Sequence, residues 1–489
     1  MSAPLYLQAR LGPSLGSLLD SRAFLHSLVD ALGSPLNVLL PEGIAENVER
    51  FRAVYRRHRL NGRVFFAHKA NRSSALVRRL AATDAAIDAA SLGELSHALG
   101  AGFAADRVLT TGPKDPETLW LAARAGALVG VDAPQELDDL VALVRAHGLP
   151  RVRILLRLSG FEREGVRVLS RRSRFGSPVA EAGTLLDTVA RHRDAVDLVG
   201  VAYHLDTTGI AEKAVALERC VRVMDEATER GLRPRAIDIG GGFGVNYLAD
   251  GGQWERYTTE LTNAVLGRRP PLTWRQHGYG LRNEGGTVRG RLALYPAHRP
   301  VAGADYLDEL LATPAPSLGR SLASLLLDHL YDLYIEPGRA LVDQCGLSLA
   351  RVLDVRLAED GTHLVRLGMN ASDVSLEEHG VLVDPVVVPR GGGGAPAAAG
   401  AGPVGVHLMG NLCLEADLVT RRVVFLPRLP ERGDLLAFPN TAGYCMDFQA
   451  HGAQMRPTAR KVAVTRRGES WRWALDEEYW PIGQGGTEA

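Results

Sequence analysis

The chain offers no net charge. Lys plus Arg and Asp plus Glu both number 56, a formal balance of +0, so it presents no electrostatic footprint for nucleic acid or an anionic membrane surface. It also lacks a long apolar run: none reaches the roughly 18 residues needed to span a bilayer. Its start, Met1-Ser2-Ala3-Pro4-Leu5, has no basic segment leading into an apolar core. The expectation is a soluble, cytoplasmic protein whose partners are small molecules. Cysteine is scarce as well, with Cys220, Cys345, Cys413 and Cys445 the only four in 489 residues. Their wide spacing gives neither a disulfide framework nor paired metal ligands, so no metal is expected. Missing, finally, is an early dinucleotide-type glycine fingerprint, which disfavours an open doubly wound sheet.

What is present is alternation. From about Leu36 to Gly244 short apolar runs alternate with amphipathic stretches, the pattern of βα units around a parallel sheet. Strands are expected at Arg63 to His68, Ala86 to Ala89, Val108 to Thr110, Ala127 to Val131, Arg153 to Leu158, Leu198 to Tyr203 and Ala236 to Ile239. Helices are expected at Arg72 to Ala82, Gly93 to Ala98, Asp115 to Ala125 and Pro134 to Ala146. A (β/α)8 barrel follows, with its active site at the carboxyl ends of the strands. Those ends carry Lys69, Asp88, Arg157, His204 and a run of glycines. After Glu336 the pattern turns β-rich, with strands expected at Leu347 to Val355, His363 to Gly368, Val381 to Val388, Val404 to Leu408 and Leu435 to Phe438. These point to a second, mainly antiparallel domain.

Individual residues carry chemistry and an ordinary alternative side by side. Lys69 ends the apolar run Val64-Phe65-Phe66-Ala67-His68. A desolvated lysine there has a lowered pKa and can form a Schiff base with an aldehyde cofactor, while a snorkelling lysine has the same local sequence. Ile237-Asp238-Ile239-Gly240-Gly241-Gly242-Phe243-Gly244 follows a strand, and Gly240, Gly241 and Gly242 let backbone N–H groups approach an anion such as phosphate. His204 at a strand end is equally a hydrogen-bonded core histidine. Asp88 and Glu94 read also as a turn residue and a helix-start carboxylate, Arg157 as half of an ion pair, and Glu336-Pro337-Gly338-Arg339 as a turn.

Taken together and in order, these segments resemble the fold-type III pyridoxal-phosphate decarboxylases, the group containing diaminopimelate, ornithine and arginine decarboxylases. Ser34-Pro35-Leu36-Asn37-Val38 is similar to the family's entry segment, Phe66-Ala67-His68-Lys69-Ala70-Asn71 to its lysine motif, and Ile87-Asp88-Ala89-Ala90-Ser91-Leu92-Gly93-Glu94-Leu95 to the next strand and turn. The resemblance implies a β domain assembled from both chain ends, which divides the chain into residues 1–36, a barrel at 37–335 with an insertion at about 251–324, and a β domain at 336–489. The low-complexity stretch at about 391–402 reads as a flexible surface loop. The resemblance further implies pyridoxal 5'-phosphate as cofactor, Lys69 as its Schiff-base lysine, and His204 stacked on the ring. Phosphate ligands are implied at Gly240 to Gly242, Thr207, which replaces a usual serine, and Tyr444 of Thr441-Ala442-Gly443-Tyr444. Asp88 and Arg157 line the same site. Glu336 against the pyridine nitrogen strengthens the ring as an electron sink, whereas alanine racemases on the same barrel place an arginine there. Arg339 is implied at the phosphate or at a substrate carboxylate.

Cys413, in Met409-Gly410-Asn411-Leu412-Cys413-Leu414-Glu415-Ala416-Asp417, resembles the family's proton-donating cysteine, contributed by the partner subunit of a homodimer. The expected activity is therefore α-decarboxylation of an amino acid or amino-acid conjugate. An amino-acid racemase or epimerase and a noncatalytic cofactor-binding protein are the alternatives. Two departures concern recognition. Leu414 stands where relatives carry an acid that reads the substrate's distal amino group, with Glu415 one position away, and the segment after Gly368-Met369-Asn370 lacks the family's Arg-Pro-x-x-Tyr continuation. The insertion carries Arg282 and Arg289, and arginines read carboxylates well. A carboxylate-bearing or conjugated substrate is expected.

Overall fold

Strands buried on both faces need a closed or doubly covered sheet, and the alternating segments close into a barrel. The computed structural model describes residues 4–161, 173–205, 207–391 and 403–481. Its eight barrel strands are β1 (Gly62–Ala67), β2 (Ala86–Ala89), β3 (Val108–Thr110), β4 (Leu128–Val131), β5 (Val152–Ser159), β6 (Val196–Tyr203), β7 (Ala236–Asp238) and β8 (Asp332–Ile335). Each pairs in parallel with the next, and β8 pairs with β1 to close the ring. Phe65, Ala86, Leu109, Leu128, Leu155, Val199, Ala202, Ala236 and Tyr334 form one buried cluster. Every strand contributes to it, so the barrel interior is packed rather than hollow.

Local chemistry sets the helices between strands. Ser73, Ser91 and Asp115 each accept a backbone N–H of the first turn that follows, and Pro116 opens the third of these helices, which satisfies donors that helix geometry leaves orphaned. The four helices expected from sequence are observed as Ser74–Ala81, Leu92–Gly100, Pro116–Ala125 and Pro134–Ala146. Strand β8 is the one barrel strand the sequence pattern did not mark. Only four residues long, it comes after a long stretch in which the βα rhythm is lost.

The described chain divides into two compact units. The barrel unit comprises Ile44–Gly244 and Val301–Leu341, with the chain from Trp480 onward; the other comprises Met1–Gly43, Val245–Pro300 and Val342–Tyr479. This second unit is a mainly antiparallel sheet drawn from both chain ends. Leu36–Leu39 lies between Gly346–Leu357, antiparallel to it, and Arg460–Arg467, parallel to it. Its core includes Leu15, Leu25, Leu36, Val38, Leu347, Leu349, Leu435 and Val462.

Two sequence expectations are corrected here. Within the segment read as a strand from Val381 to Val388, only Val386–Val388 is one. Pro385 has no N–H to give a ladder, and Asp384 instead exchanges backbone and side-chain bonds with Leu7, at 2.7 and 2.6 Å. Of the insertion read at about 251–324, the part up to Pro300 belongs to the sheet unit, together with the residues from Val245 that precede it. Trp274 N donates to Arg421 O at 2.6 Å, Val423 N to Leu272 O at 2.8 Å and Tyr295 N to Gly380 O at 2.8 Å. The fully buried Arg422 pairs with Asp384 at 2.7 Å. Within the later part of that stretch, the helix Gly303–Ala312 joins the barrel unit. Residues 392–402 of the glycine-rich loop lie outside the described residues. Among those described, no helix is long and apolar enough to cross a membrane.

Candidate active site

A closed parallel barrel brings the carboxyl ends of all its strands to one mouth. Lys69 follows β1 in the single turn His68–Ala70, Asp88 lies in β2, Arg157 in β5, His204 follows β6, Asp238 ends β7 and Glu336 follows β8. Asp132 after β4 meets Arg157 Nη1 at 3.2 Å, the ion pair that was one reading of this arginine. Arg157 also lies over the ring of Phe175 at 4.9 Å. It still acts on the centre, because its charge stabilises the carboxylates of Asp88, Asp238 and Glu336.

Burial dominates the electrostatics of the mouth. Asp88 and Asp238 are buried, and the Glu336 side chain keeps only 10% of its surface open. Loss of water raises all three carboxyls above their ordinary range; Asp88 and Asp238 also raise Glu336 by repulsion, while Lys69 and Arg157 oppose the rise. One such group holds its proton more readily than an exposed acid does. Thr111 Oγ1 donates to Asp88 Oδ1 at 2.5 Å, and Gly240 N to Asp238 Oδ1 at 2.8 Å. Asp238 Oδ2 is buried, and a side-chain hydrogen bond with Glu336 opposes part of the rise that burial imposes.

His204 is shifted the other way. Surrounding protein, then Lys69, Arg157 and Lys213, lower its pKa, and Gly241 N donates to its Nδ1 at 3.2 Å. An imidazole nitrogen that accepts from an amide carries no proton, so the ring is neutral with its hydrogen on Nε2. Nδ1 lies 3.9 Å from Glu336 Oε2.

The glycine turn has room for nothing larger than glycine. Gly240 and Gly242 have φ of +65° and +86°, a region that costs other residues energy. A Cβ at Gly241 would stand 2.8 Å from Glu336 O, and one at Gly242 2.9 Å from Thr207 O. The sequence expectation is refined in one respect. The Gly240 and Gly241 amides turn inward to Asp238 and His204, whereas the amides of Gly242, Phe243 and Gly244 have no partner among the described residues. Among the described residues, the amides without a partner therefore begin at Gly242 rather than at Gly240. Thr207 Oγ1 accepts from Gly209 N at 2.9 Å beside it, and the long helix α1 (Ile210–Glu229) starts there.

Lys69 is exposed, not desolvated as its apolar run suggested, because it stands in the turn beyond the strand. Its charge lowers the pKa of Asp88, Glu94 and Glu336 and that of His204, which places it among them. Glu94 has its ordinary role as a helix-start carboxylate, accepting from Ala90 N at 2.7 Å, and also faces His68 Nδ1 at 3.6 Å. His68 Nε2 meets His97 Nδ1 at 2.8 Å, and His97 Nε2 meets Ser74 Oγ at 3.1 Å. Arg339 is partly buried, three residues beyond Glu336.

The remaining candidates lie in the sheet unit. Cys413 is exposed while Cys220, Cys345 and Cys445 are buried. Its loop is held by Asp417, which accepts from Leu412 N and Ala371 N at 2.8 Å each. Cys413 N donates to Gln454 Oε1 at 3.0 Å. Leu414 and Glu415 are exposed at the tip. Tyr444 has φ +70° and packs against the rings of His379 and Phe448, both at 5.8 Å. Arg282 and Arg289 face each other across the hairpin Leu281–Glu284 and Thr287–Gly290, both exposed, with Arg282 Nε on Glu284 Oε1 at 2.5 Å.

Sequence reasoning passed over Asp238, Lys213, Asp132 and the His68–His97 pair as site residues. Asp238 was visible as a strand-end acid. Lys213 was not, since it sits on a helix and reaches the centre through tertiary packing alone.

Comparison with known proteins bears on the family and the fold. The family described as "Pyridoxal-dependent decarboxylase, pyridoxal binding domain" matches residues 42–273. An uncharacterized protein of Sinorhizobium fredii is 29% identical over 445 residues, 89% of each chain. A diaminopimelate decarboxylase of Actinosynnema pretiosum is 28% identical over 422 residues, covering 85% of this chain and 81% of its own. The crystal structure of the M. jannaschii diaminopimelate decarboxylase in co-complex with L-lysine superposes with a TM-score of 0.69 at 18% identity, over 92% of this chain and 91% of that one. At that identity the superposition speaks for the fold.

Proposed function

Because the chain is a divergent member of the fold-type III pyridoxal-phosphate-dependent decarboxylase family, we propose that its barrel mouth removes the α-carboxylate of an amino acid. The observation that carries this is the convergence of Lys69, neutral His204 and three carboxyls with raised pKa on one barrel end, beside a glycine turn whose later amides have no partner among the described residues. Those residues fit pyridoxal 5'-phosphate. The amides of Gly242, Phe243 and Gly244 with Thr207 suit its phosphate, Lys69 its aldehyde carbon, His204 a ring face and Glu336 its pyridine nitrogen. When bound, the cofactor supplies an electron sink for the pair released from the Cα–carboxylate bond.

The protein's part is proton management and orientation. Glu336, raised by burial and by Asp238 and Asp88, holds a proton for the ring nitrogen. Asp238 receives the Gly240 amide and keeps the turn and that acid in register. Lys69 Nζ is the amine that would hold the cofactor's aldehyde carbon, and when not so engaged it can serve as a local acid or base. Cys413 Sγ, from the partner subunit of a cytoplasmic homodimer, returns a proton to Cα. Support for that arrangement lies in the exposure of Cys413 together with Leu414 and Met455, 58% and 97% open on loops joined by the Cys413–Gln454 bond. Apolar side chains presented this way are commonly covered by a partner. With Leu414 in the distal-reading position, the substrate is a carboxylate-bearing or conjugated amino acid rather than lysine or ornithine.

The test is a spectrum and a gas. Purified protein given pyridoxal phosphate should acquire the visible absorbance of lysine-bound cofactor, lose it in Lys69→Ala, and release carbon dioxide from a substrate in the panel. Exchange of the Cα hydrogen with no carbon dioxide released would make it a racemase, and failure to take up cofactor would remove the reading altogether.

A further inference from the structure

Lys213 is an unusual lysine. It is fully buried, on the first turn of α1, and its ammonium lies over the rings of Phe243 at 4.8 Å and Tyr306 at 5.4 Å. Its Nζ donates to the carbonyl of Gly241. Among the described residues no carboxylate pairs with it. Glu212, the acid next to it in sequence, has its buried Oε2 against Gly209 with no hydrogen-bond partner and forms no ion pair with Lys213. A buried cation without a counter-charge is costly, and burial pushes this amine down to about 7.

Positive groups gather beside it. A Cβ at Gly242 would stand 3.1 Å from Nζ, so the ammonium lies against the turn whose Gly242, Phe243 and Gly244 amides have no partner among the described residues. The start of α1, with no side-chain cap, adds its own positive end at the same place. Among the described residues, three amides, a helix start and an ammonium converge here and would favour an anion.

We propose that Lys213 is a positioning residue of the cofactor's phosphate site: it tethers the glycine turn through the Gly241 carbonyl and takes the bound phosphate as its counter-charge. This rests on reading the turn as a phosphate cradle. It assigns Lys213 no contact with the reacting atoms.

The experiment compares pyridoxal phosphate with pyridoxal, which lacks only the phosphate, by equilibrium absorbance titration of the purified full chain. Inorganic phosphate serves as a second probe, by thermal shift of the cofactor-free protein. Wild type should prefer pyridoxal phosphate and melt higher with phosphate. Lys213→Met should lose at least about tenfold in pyridoxal phosphate affinity, the scale of one bond to a charged group. It should keep its affinity for pyridoxal, lose the phosphate shift, and melt no lower than wild type without ligand, since it removes an uncompensated buried charge. Lys213→Gln retains a donor for the Gly241 carbonyl without the charge, and should show the same selective loss. Full preference for pyridoxal phosphate in either folded variant overturns the charge role, and an equal loss for both ligands reduces Lys213 to a structural residue. If wild type binds both ligands alike, the cradle reading falls and the proposal with it; if it binds neither, the cofactor reading itself falls.

Discussion

At the barrel mouth Asp88, Asp238 and Glu336 are crowded and buried, so each carboxyl is displaced from its ordinary titration range; in the Cys413 loop, Asp417 spends its oxygens on backbone amides and leaves Cys413, Leu414 and Glu415 in solvent. The mouth is already organised as chemistry. The loop is a scaffold that presents side chains to solvent. The displaced carboxyls of the mouth therefore owe their state to burial within one chain, whereas the role proposed for Cys413 requires an environment that its own loop does not supply.

The largest expected effect tests that dependence. Cys413→Ala should lower kcat by roughly 10²- to 10³-fold, within the range for a positioned proton donor, and leave the absorbance of lysine-bound cofactor intact. Mixing it with Lys69→Ala should restore part of the activity, because an exchanged dimer regains one complete site. Subunits that demonstrably exchange without recovery would place both residues in the same chain's site and erase the contrast.

Gly241→Ala probes the mouth instead. A Cβ there would press on Glu336 O at 2.8 Å, so a cost of about 1–3 kcal/mol is expected, felt as weaker cofactor binding in the same titration. A variant that binds cofactor as wild type does would show the turn to be loosely packed, more like the loop than the mouth.

Asp238→Asn sharpens the electrostatic side. A carboxyl raised in the folded state keeps its proton where the unfolded chain has released one, so the fold loses stability as pH climbs from the ordinary carboxylate range toward about 7. Asparagine carries no such cost and still accepts from Gly240 N. The melting temperature of the cofactor-free variant should match wild type near pH 4 and exceed it increasingly up to neutral pH. A difference that is constant with pH would mean that Asp238 titrates like an exposed acid.

The contrast also marks where sequence could be read. Strand-end residues such as Lys69, Asp88, Arg157 and His204 were legible because each follows a periodic apolar run, and Glu336 because it opens a recognisable tetrapeptide. Strand β8 was hidden by its length and by the lost rhythm before it, and with it the fact that β8 pairs with both β1 and β7. That pairing is what sets Glu336 against Asp238 and Gly241, so the coupling of the carboxyls was invisible although each acid was not. Lys213 depends on the packing of one helix under one turn, which no local pattern reports. In the sheet unit the motif residues were legible, but the membership of 245–300 was not, because it rests on backbone bonds to residues far along the chain.

The smallest effect concerns the hairpin of that segment. Arg282 is exposed and already paired with Glu284 at 2.5 Å, and exposed pairs contribute about 0–1 kcal/mol. Arg282→Ala should therefore change stability by less than about 0.5 kcal/mol. Its kinetic effect is the informative part. A guanidinium that reads a substrate carboxylate is worth roughly tenfold or more in binding, so KM should rise by about that factor with kcat unchanged, the signature of lost uniform binding. Arg289, directly opposite in the hairpin register, should give a similar KM effect if the two act as a clamp. Unchanged KM in both variants, with free lysine or ornithine turned over efficiently, would return distal recognition to the Leu414–Glu415 tip and leave the hairpin as surface.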